Sequence, residues 1–409
     1  MKKFFALLLS LAMVLALVAC GQKETTTPDD TQTPDDTTPE VEYKIAMITD
    51  YGDITDQSFN QTTYEACKAF AEDNSIEFSY FKPAGDNTAD RVAMIEKAVN
   101  DGFNVIVMPG YAFGGAIVEA APEFPDVKFI ALDVAAGDLL ETAVAKAGEA
   151  YDYTPENWDL NKYVDMSNVY CAVYQEELCG YMAGYAAVKL GYKNLGFLGG
   201  MSVPAVVRYG YGFVQGVDAA AADLGLTDVK LNYIYGGQFF GDADITAVMD
   251  TWYQGGTEVV FACGGGIYTS AVDAAKKVEG AKVIGVDVDQ AGVIANYAGG
   301  DEYKELTVTS AMKGLYPATY DALTDIVLNG KWAEYVGKIE TLGLVSGDDP
   351  EANYVQIPME STQWSDSFTQ EDYKALVAKM FAGEVTVSND TTTVPAVTNT
   401  TLNVQDNIK

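Results

Sequence analysis

A chain of 409 residues is too long for one ordinary core and fits two domains with extensions, and its 48% hydrophobic content is enough to fill both. With 59 acidic against 25 basic residues the formal charge is −34, which repels phosphate backbones and anionic lipid, so no nucleic acid is expected as a partner. The chain has no histidine, which excludes Ser-His-Asp and Cys-His catalysis, an imidazole general base and imidazole-bound zinc.

Residues 1–19 open with Lys2 and Lys3, run apolar from Phe4 to Val18 and end in small residues, the pattern of a secretory signal peptide. Leu17-Val18-Ala19-Cys20 has the form of a bacterial lipobox, so Cys20 is expected to carry diacylglycerol and become the new amino terminus. Two acyl chains at ~0.8 kcal/mol per buried CH₂ would anchor the protein on the extracytoplasmic face of the cell membrane without a spanning helix. Residues 20–42, rich in Thr, Pro and Asp, are expected to be a disordered tether between lipid and folded body.

From residue 43 onward, apolar runs alternate with amphipathic helical patterns, as in an α/β protein with parallel sheets. Strands are expected at 44–48, 77–82, 105–109, 128–132 and 169–174, with helices at 61–72, 91–101 and 114–121 among them. A second series has strands at 195–199, 230–235, 258–262 and 282–286 and helices at 208–224, 243–254 and 270–277. Two similar doubly wound lobes imply a cleft between them. Residues 147–165, with Tyr151, Tyr153 and Trp158, read as an insertion placed to reach the mouth of that cleft, and residues 388–409 as a flexible polar tail.

Ligands of open parallel sheets bind beyond the carboxyl ends of the strands. That rule selects Asp50, Phe59 and Asn60 after the first strand, although the same stretch also reads as a helix capped by Asp50 and Asp53 with Phe59 in the core. It selects Asp133 in the same lobe, and in the second lobe the turn Cys263-Gly264-Gly265-Gly266 and the pair Asp287 and Asp289. The glycine turn lacks the Walker lysine and the GxGxxG spacing, and the two acids lack an EF-hand frame, so neither a phosphate cradle nor a metal site is expected. No acid/base pair of the glycosidase type can be read. From its local sequence Lys313 reads as an exposed lysine on an amphipathic helix in preference to a catalytic one. Cys67, Cys171, Cys179 and Cys263 lack CxxC spacing and sit in apolar contexts, as buried thiols do.

The lipobox, Asp50 through Ser58-Phe59-Asn60-Gln61, Gly196-Phe197-Leu198-Gly199-Gly200-Met201 with Pro204 and Arg208, Phe261 with its glycines, Gly285 to Gln290, and Thr309-Ser310 before Lys313 occur in that order. Together they resemble the basic membrane protein family of substrate-binding lipoproteins, whose best understood members are purine nucleoside receptors of ABC transporters. The resemblance implies a type I periplasmic-binding-protein fold, two Rossmann-like lobes holding a ligand between them, with no catalysis and no cofactor. By the family pattern the base would be gripped by Phe59 and Phe261 and read by Asn60 and Asp133, and the ribose held by Asp50, Gly266, Asp287 and Lys313. It further implies lobes formed by 43–173 with 310–337 and by 174–309 with 338–387, crossing near Val173, Thr309 and Gly337. The implied function is capture of a nucleoside and its delivery to an ABC permease. The alternatives are a binding protein for another small polar ligand such as a sugar or autoinducer, a nucleoside hydrolase, and a sensor lipoprotein. Tyr51 departs from the residue usual in the family's first loop and has no role assigned to it.

Overall fold

The computed structural model describes residues 42–409. The expected signal peptide, Cys20 and the tether up to residue 41 lie outside the described residues. Thirteen strands follow: β1 (Lys44–Ile48), β2 (Glu77–Phe81), β3 (Val105–Pro109), β4 (Lys128–Leu132), β5 (Val169–Tyr174), β6 (Asn194–Gly199), β7 (Val229–Tyr235), β8 (Val259–Cys263), β9 (Lys282–Asp287), β10 (Thr307–Lys313), β11 (Ile339–Leu342), β12 (Val355–Gln356) and β13 (Thr400–Val404). They form two sheets, in the orders β11-β5-β4-β3-β1-β2 and β12-β10-β9-β8-β6-β7-β13. Every pairing is parallel except the short β10–β12 contact. Central strands such as β3 and β8 are buried along their whole length. Helices cover both faces of a parallel sheet, so such strands read as continuous apolar runs rather than alternating ones.

Two local features prepare the cleft. Helix Phe59–Asn74 is capped by Asp56, whose carboxylate accepts from the backbone N–H groups of Ser58, Asn60 and Gln61 at 3.0, 2.9 and 3.0 Å. Ser58, at the cap position itself, makes no capping bond, so its hydroxyl is free to reach elsewhere. In the second lobe, helices Glu176–Lys189 and Pro204–Leu224 meet backbone to backbone. A Cβ at Gly180 would lie 2.2 Å from the Tyr209 carbonyl oxygen, and one at Gly212 2.1 Å from that of Glu177. Gly212→Val is therefore expected to lower folding stability by about 1–3 kcal/mol, because the obstructing atoms are main chain and cannot rotate away. An unchanged urea midpoint would show that the seam tolerates a side chain.

The structure corrects several expectations. Residues 388–409 are not a loose tail: Thr400–Val404 is the seventh strand of the second sheet, paired in parallel with β7. Thr and Asn dilute its apolar signal, and an edge strand needs only backbone bonds and one half-covered face. Lys313 lies on no helix; it ends β10 in the second sheet, and the chain passes to the first lobe only at helix Leu315–Leu323. That helix packs on helix Phe59–Asn74 through the rings of Phe70 and Tyr320, centroids 5.5 Å apart. The crossing expected at Thr309 thus falls at Gly314. The crossing expected at Gly337 falls after Leu342, because β11 pairs with β5 in the first sheet. Residues 147–165 gather Tyr151, Trp158 and Tyr163 into an aromatic cluster behind helix Ala136–Lys146, and none of them lines the cleft cavity.

Candidate functional site

Strand ends from both sheets converge on a cavity of about 430 Å³ between the lobes, within the range of roughly 300–1,000 Å³ usual for small-molecule sites. Asp133 follows β4 at φ 60°, and Asp287 ends β9 at φ 65°. A short polar side chain is among the few that accept this left-handed backbone. Each lobe therefore uses the same sharp turn to present an aspartate to the cleft. Asp50 follows β1, and its Oδ1 accepts from the backbone N–H groups of Tyr51 and Gly52, both at 2.6 Å, and from Asn60 Nδ2 at 3.2 Å. The Asn60 amide also donates to Asp56 Oδ2 at 3.1 Å, so its hydrogens are committed to the loop, and its oxygen accepts from the Asp50 N–H at 3.4 Å and keeps capacity for a second donor.

Lys313 is the centre of charge. Its ammonium lies 2.5 Å from Asp133 Oδ2, 3.5 Å from Glu176 Oε1 and 3.6 Å from Asp287 Oδ1, and 4.6 Å from the centroid of the Phe59 ring. Burial alone would favour the neutral amine; the carboxylates of Asp133, Asp287 and Glu176 outweigh it and hold the lysine pKa raised. Glu176 in turn takes Arg208 Nε at 2.6 Å. Asp287 is held by the Ser58 hydroxyl at 2.5 Å and the Tyr209 hydroxyl at 3.2 Å. The Ser58–Asp287 and Lys313–Asp133 contacts cross the cleft, as do Gln290 Nε2 to the Gln57 carbonyl at 3.2 Å and Tyr51 Oη to Met201 Sδ at 3.7 Å. Asp133 Oδ1 is buried and makes no hydrogen bond among the described residues. Burial pushes the Asp133 carboxyl up to about 6 against the pull of Lys313.

Asp138, also on the cavity wall, accepts from the Ala135 N–H at 2.7 Å, and burial pushes its carboxyl up to about 7. Because the folded-state pKa lies above that of the unfolded chain, its stability contribution is full below about pH 4 and is lost as the pH rises through about 7. Asp138→Asn keeps an acceptor for Ala135 without the charge. The variant is expected to gain on the order of 2 kcal/mol over the parent at pH 8 and nothing at pH 4. Urea titrations at the two pH values check this, and an equal effect at both would refute it.

Seven of the eight expected ligand residues line this cavity: Asp50, Phe59, Asn60, Asp133, Gly266, Asp287 and Lys313. Phe261 does not. It sits inside β8 with no exposure, packed among Phe197, Tyr209 and Phe213. The second-lobe rings on the cavity wall are Tyr209, on helix Pro204–Leu224, and Phe239, in the loop after β7, with Phe240 beside it. Phe239 lies in a slot floored by glycine: a Cβ at Gly200 would come within 2.3 Å of its ring and one at Gly264 within 2.7 Å. Gly266 serves this slot, its N–H donating to the Phe239 carbonyl at 2.8 Å while its own carbonyl accepts from Thr269 Oγ1 at 2.9 Å. Tyr51 reaches over from the first lobe, its ring centroid 6.4 Å from that of Phe239. Sequence reasoning gave no role to Phe239, Tyr51, Asp138, Glu176, Arg208 or Tyr209. Tyr51, Phe239 and Glu176 lie within four residues beyond the ends of β1, β7 and β5, and the strand-end rule could have found them; Asp138 sits in the first turn of helix Ala136–Lys146, and Arg208 and Tyr209 lie on helix Pro204–Leu224, nine and ten residues past β6, where that rule does not reach.

Among relatives, the chain is 26% identical over 263 residues to the ABC transporter nucleoside-binding protein BmpA of Lactococcus lactis subsp. cremoris. That match spans 61% of this chain and 65% of the relative, just under two thirds of its length. It is 28% identical over 340 residues to the CD4+ T-cell-stimulating antigen of Listeria monocytogenes, covering 79% of this chain and 84% of that one. The fold matches that of an ABC transporter solute-binding protein from Aeropyrum pernix K1, with a TM-score of 0.60 and 21% identity over 85% of this chain and 88% of the other. Residues 43–382 match the model of the Bmp family, described as ABC transporter substrate-binding protein PnrA-like, and the chain belongs to that family of substrate-binding proteins.

Proposed function

We propose that the cleft binds a nucleoside, with a purine base preferred, and that the protein, held to the membrane through Cys20, delivers it to an ABC permease. The observation that carries the reading is the arrangement of the cavity wall, with Phe59 on one lobe, Phe239 on the other and the buried, unpaired Asp133 Oδ1 nearby. Two aromatic faces suit a flat heterocycle, and each is worth roughly 1–3 kcal/mol when a base stacks on it. Asp133 Oδ1 and the Asn60 oxygen are acceptors for N–H groups on a base edge, while Asp50 is an acceptor for sugar hydroxyls. On the wall, Asp50, Asp53, Asp56, Asp133, Asp138 and Asp287 outnumber Lys82, Arg208 and Lys313. That balance disfavours a phosphate and supports a neutral nucleoside over a nucleotide.

Ligand contacts made by both lobes at once would favour the closed arrangement, since only a difference in affinity between states can drive closure. Titration calorimetry of the soluble domain with guanosine, inosine, adenosine, uridine, nucleotides and sugars tests the reading. Binding of purine nucleosides, and of their 5′-phosphates far more weakly, is the expected outcome. Heat with sugars alone would overturn it.

A further inference from the structure

The segment after the family-matched residues runs back along the second lobe to the ligand cavity. The backbone of Ser388 exchanges two bonds with the Gln215 amide, at 2.9 and 3.0 Å, and the Thr398 and Asn399 N–H groups donate to the Asp218 carboxylate at 3.1 and 2.7 Å. Both partners lie on helix Pro204–Leu224, whose first turns carry Arg208 and Tyr209. The chain then pairs with β7 as β13 and keeps following it, with Gln405 N–H on the Tyr233 carbonyl and Ile408 N–H on that of Tyr235, both at 2.9 Å. Tyr235 is the last residue of β7, and the next seven residues form the loop that bears Phe239 and Phe240.

At that loop Lys409 pairs with Asp242. Asp242 caps helix Ala243–Gln254 and accepts from Gln238 Nε2 at 2.8 Å. Gly237, at φ +83°, lies so close that a Cβ there would meet Lys409 Cβ at 2.8 Å and its carbonyl oxygen at 2.9 Å. The loop is therefore held on its inner side by backbone bonds to Gly199, Gly200 and Gly266, while on its outer side Ile408 fixes its root at Tyr235 and Lys409 packs against Gly237 and pairs with Asp242.

We propose that residues 388–409 are a strap that holds the 236–242 loop, and with it Phe239, in position against the ligand cavity and so lengthens ligand residence. This rests on the reading of the cavity as the ligand site. Without the strap β7 is a bare sheet edge, and the loop that follows it has backbone partners on one side only, the condition for local opening. The Lys409–Asp242 pair is partly exposed and adds little by itself; the Ile408–Tyr235 backbone bond at the root of the loop and the packing of Lys409 on Gly237 do most of the holding.

The test uses the full chain with Ile408→Pro and Lys409→Ala together, which removes the N–H that bonds Tyr235 and the ion pair but leaves the β13 register. Amide exchange at residues 236–242 is expected to speed up by about tenfold, while exchange in β3 and β4 stays unchanged. Guanosine dissociation, followed by stopped flow, is expected to speed up several-fold with little change in association. Lys409→Arg alone is expected to behave like the parent in both measurements. Unchanged exchange at 236–242 would overturn the strap, and faster exchange with unchanged guanosine dissociation would overturn its link to the ligand. If the parent binds none of guanosine, inosine, adenosine and uridine, the nucleoside reading fails, and the exchange comparison still decides whether the strap orders the loop.

Discussion

Lys313→Met is expected to lower folding stability by about 3–5 kcal/mol at pH 8, the usual cost of stranding a buried charge by removing its partner. The methionine fills much of the same space, so the loss is electrostatic rather than a cavity. Asp133 and Glu176 lie in the protein interior together with Asp287, and Lys313 is within 3.6 Å of a carboxylate oxygen of each. Arg208 still serves Glu176, which leaves Asp133 as the acid with the greatest loss. Its carboxyl already sits raised to about 6 with the lysine beside it, and without the lysine it rises further. A folded-state pKa raised in this way means stability present at low pH and lost as the pH climbs. The deficit of the variant relative to the parent is therefore expected to shrink markedly at pH 5, where Asp133 takes up a proton. Urea titrations at pH 5 and pH 8 provide the comparison, and a deficit independent of pH would remove the charge explanation. The same variant breaks the buried ion pair that crosses the cleft, so guanosine affinity is expected to fall as well.

Phe261→Ala is expected to cost about 3–5 kcal/mol of folding stability, as a large buried ring does when truncated. Its effect on the ligand affinity of the molecules that remain folded should be small. Phe59→Ala and Phe239→Ala are expected to behave in the opposite way, each losing roughly 1–3 kcal/mol of guanosine affinity. Their melting temperatures should change little, since both rings are only partly buried and face the cavity. Calorimetry together with thermal melting separates the two patterns. A loss of affinity confined to Phe261→Ala, with Phe239→Ala silent, would return the second ring to β8 and contradict the position of Phe261 inside its strand.

The β-strands of both lobes were legible wherever burial on two faces produced an unbroken apolar run: β1, β3, β4 and β5 were read with the boundaries the structure shows. β10 and β11 were expected only through the resemblance, as lobe-joining strands near Thr309 and Gly337 without bounds, and β12 and β13 were not assigned as strands. β10 and β11 carry Thr, Lys and Glu among their apolar residues, β12 has only two residues, and β13 is a polar edge. Such strands are fixed by neighbours distant in sequence, which a local period does not report. Most of the site was legible for a different reason. An acid placed just after an apolar run marks a strand end, and strand ends of an open sheet share one edge. Asp50, Asp133 and Asp287 follow that rule, whereas Phe261 lies inside its strand and the rule never selected it.

The sequence by itself determined the two-lobed α/β plan and the acids at the strand ends, because periodicity and strand-end chemistry are local properties of the chain, and the order of its motifs carried the family resemblance. Only the tertiary structure decided that Phe239 rather than Phe261 faces the cavity, that Lys313 ends a strand and joins acids from both lobes, and that residues 388–409 close the second sheet. Each of these depends on which surfaces meet across hundreds of residues, at glycine seams and sheet edges where the approach of one backbone to another sets the geometry.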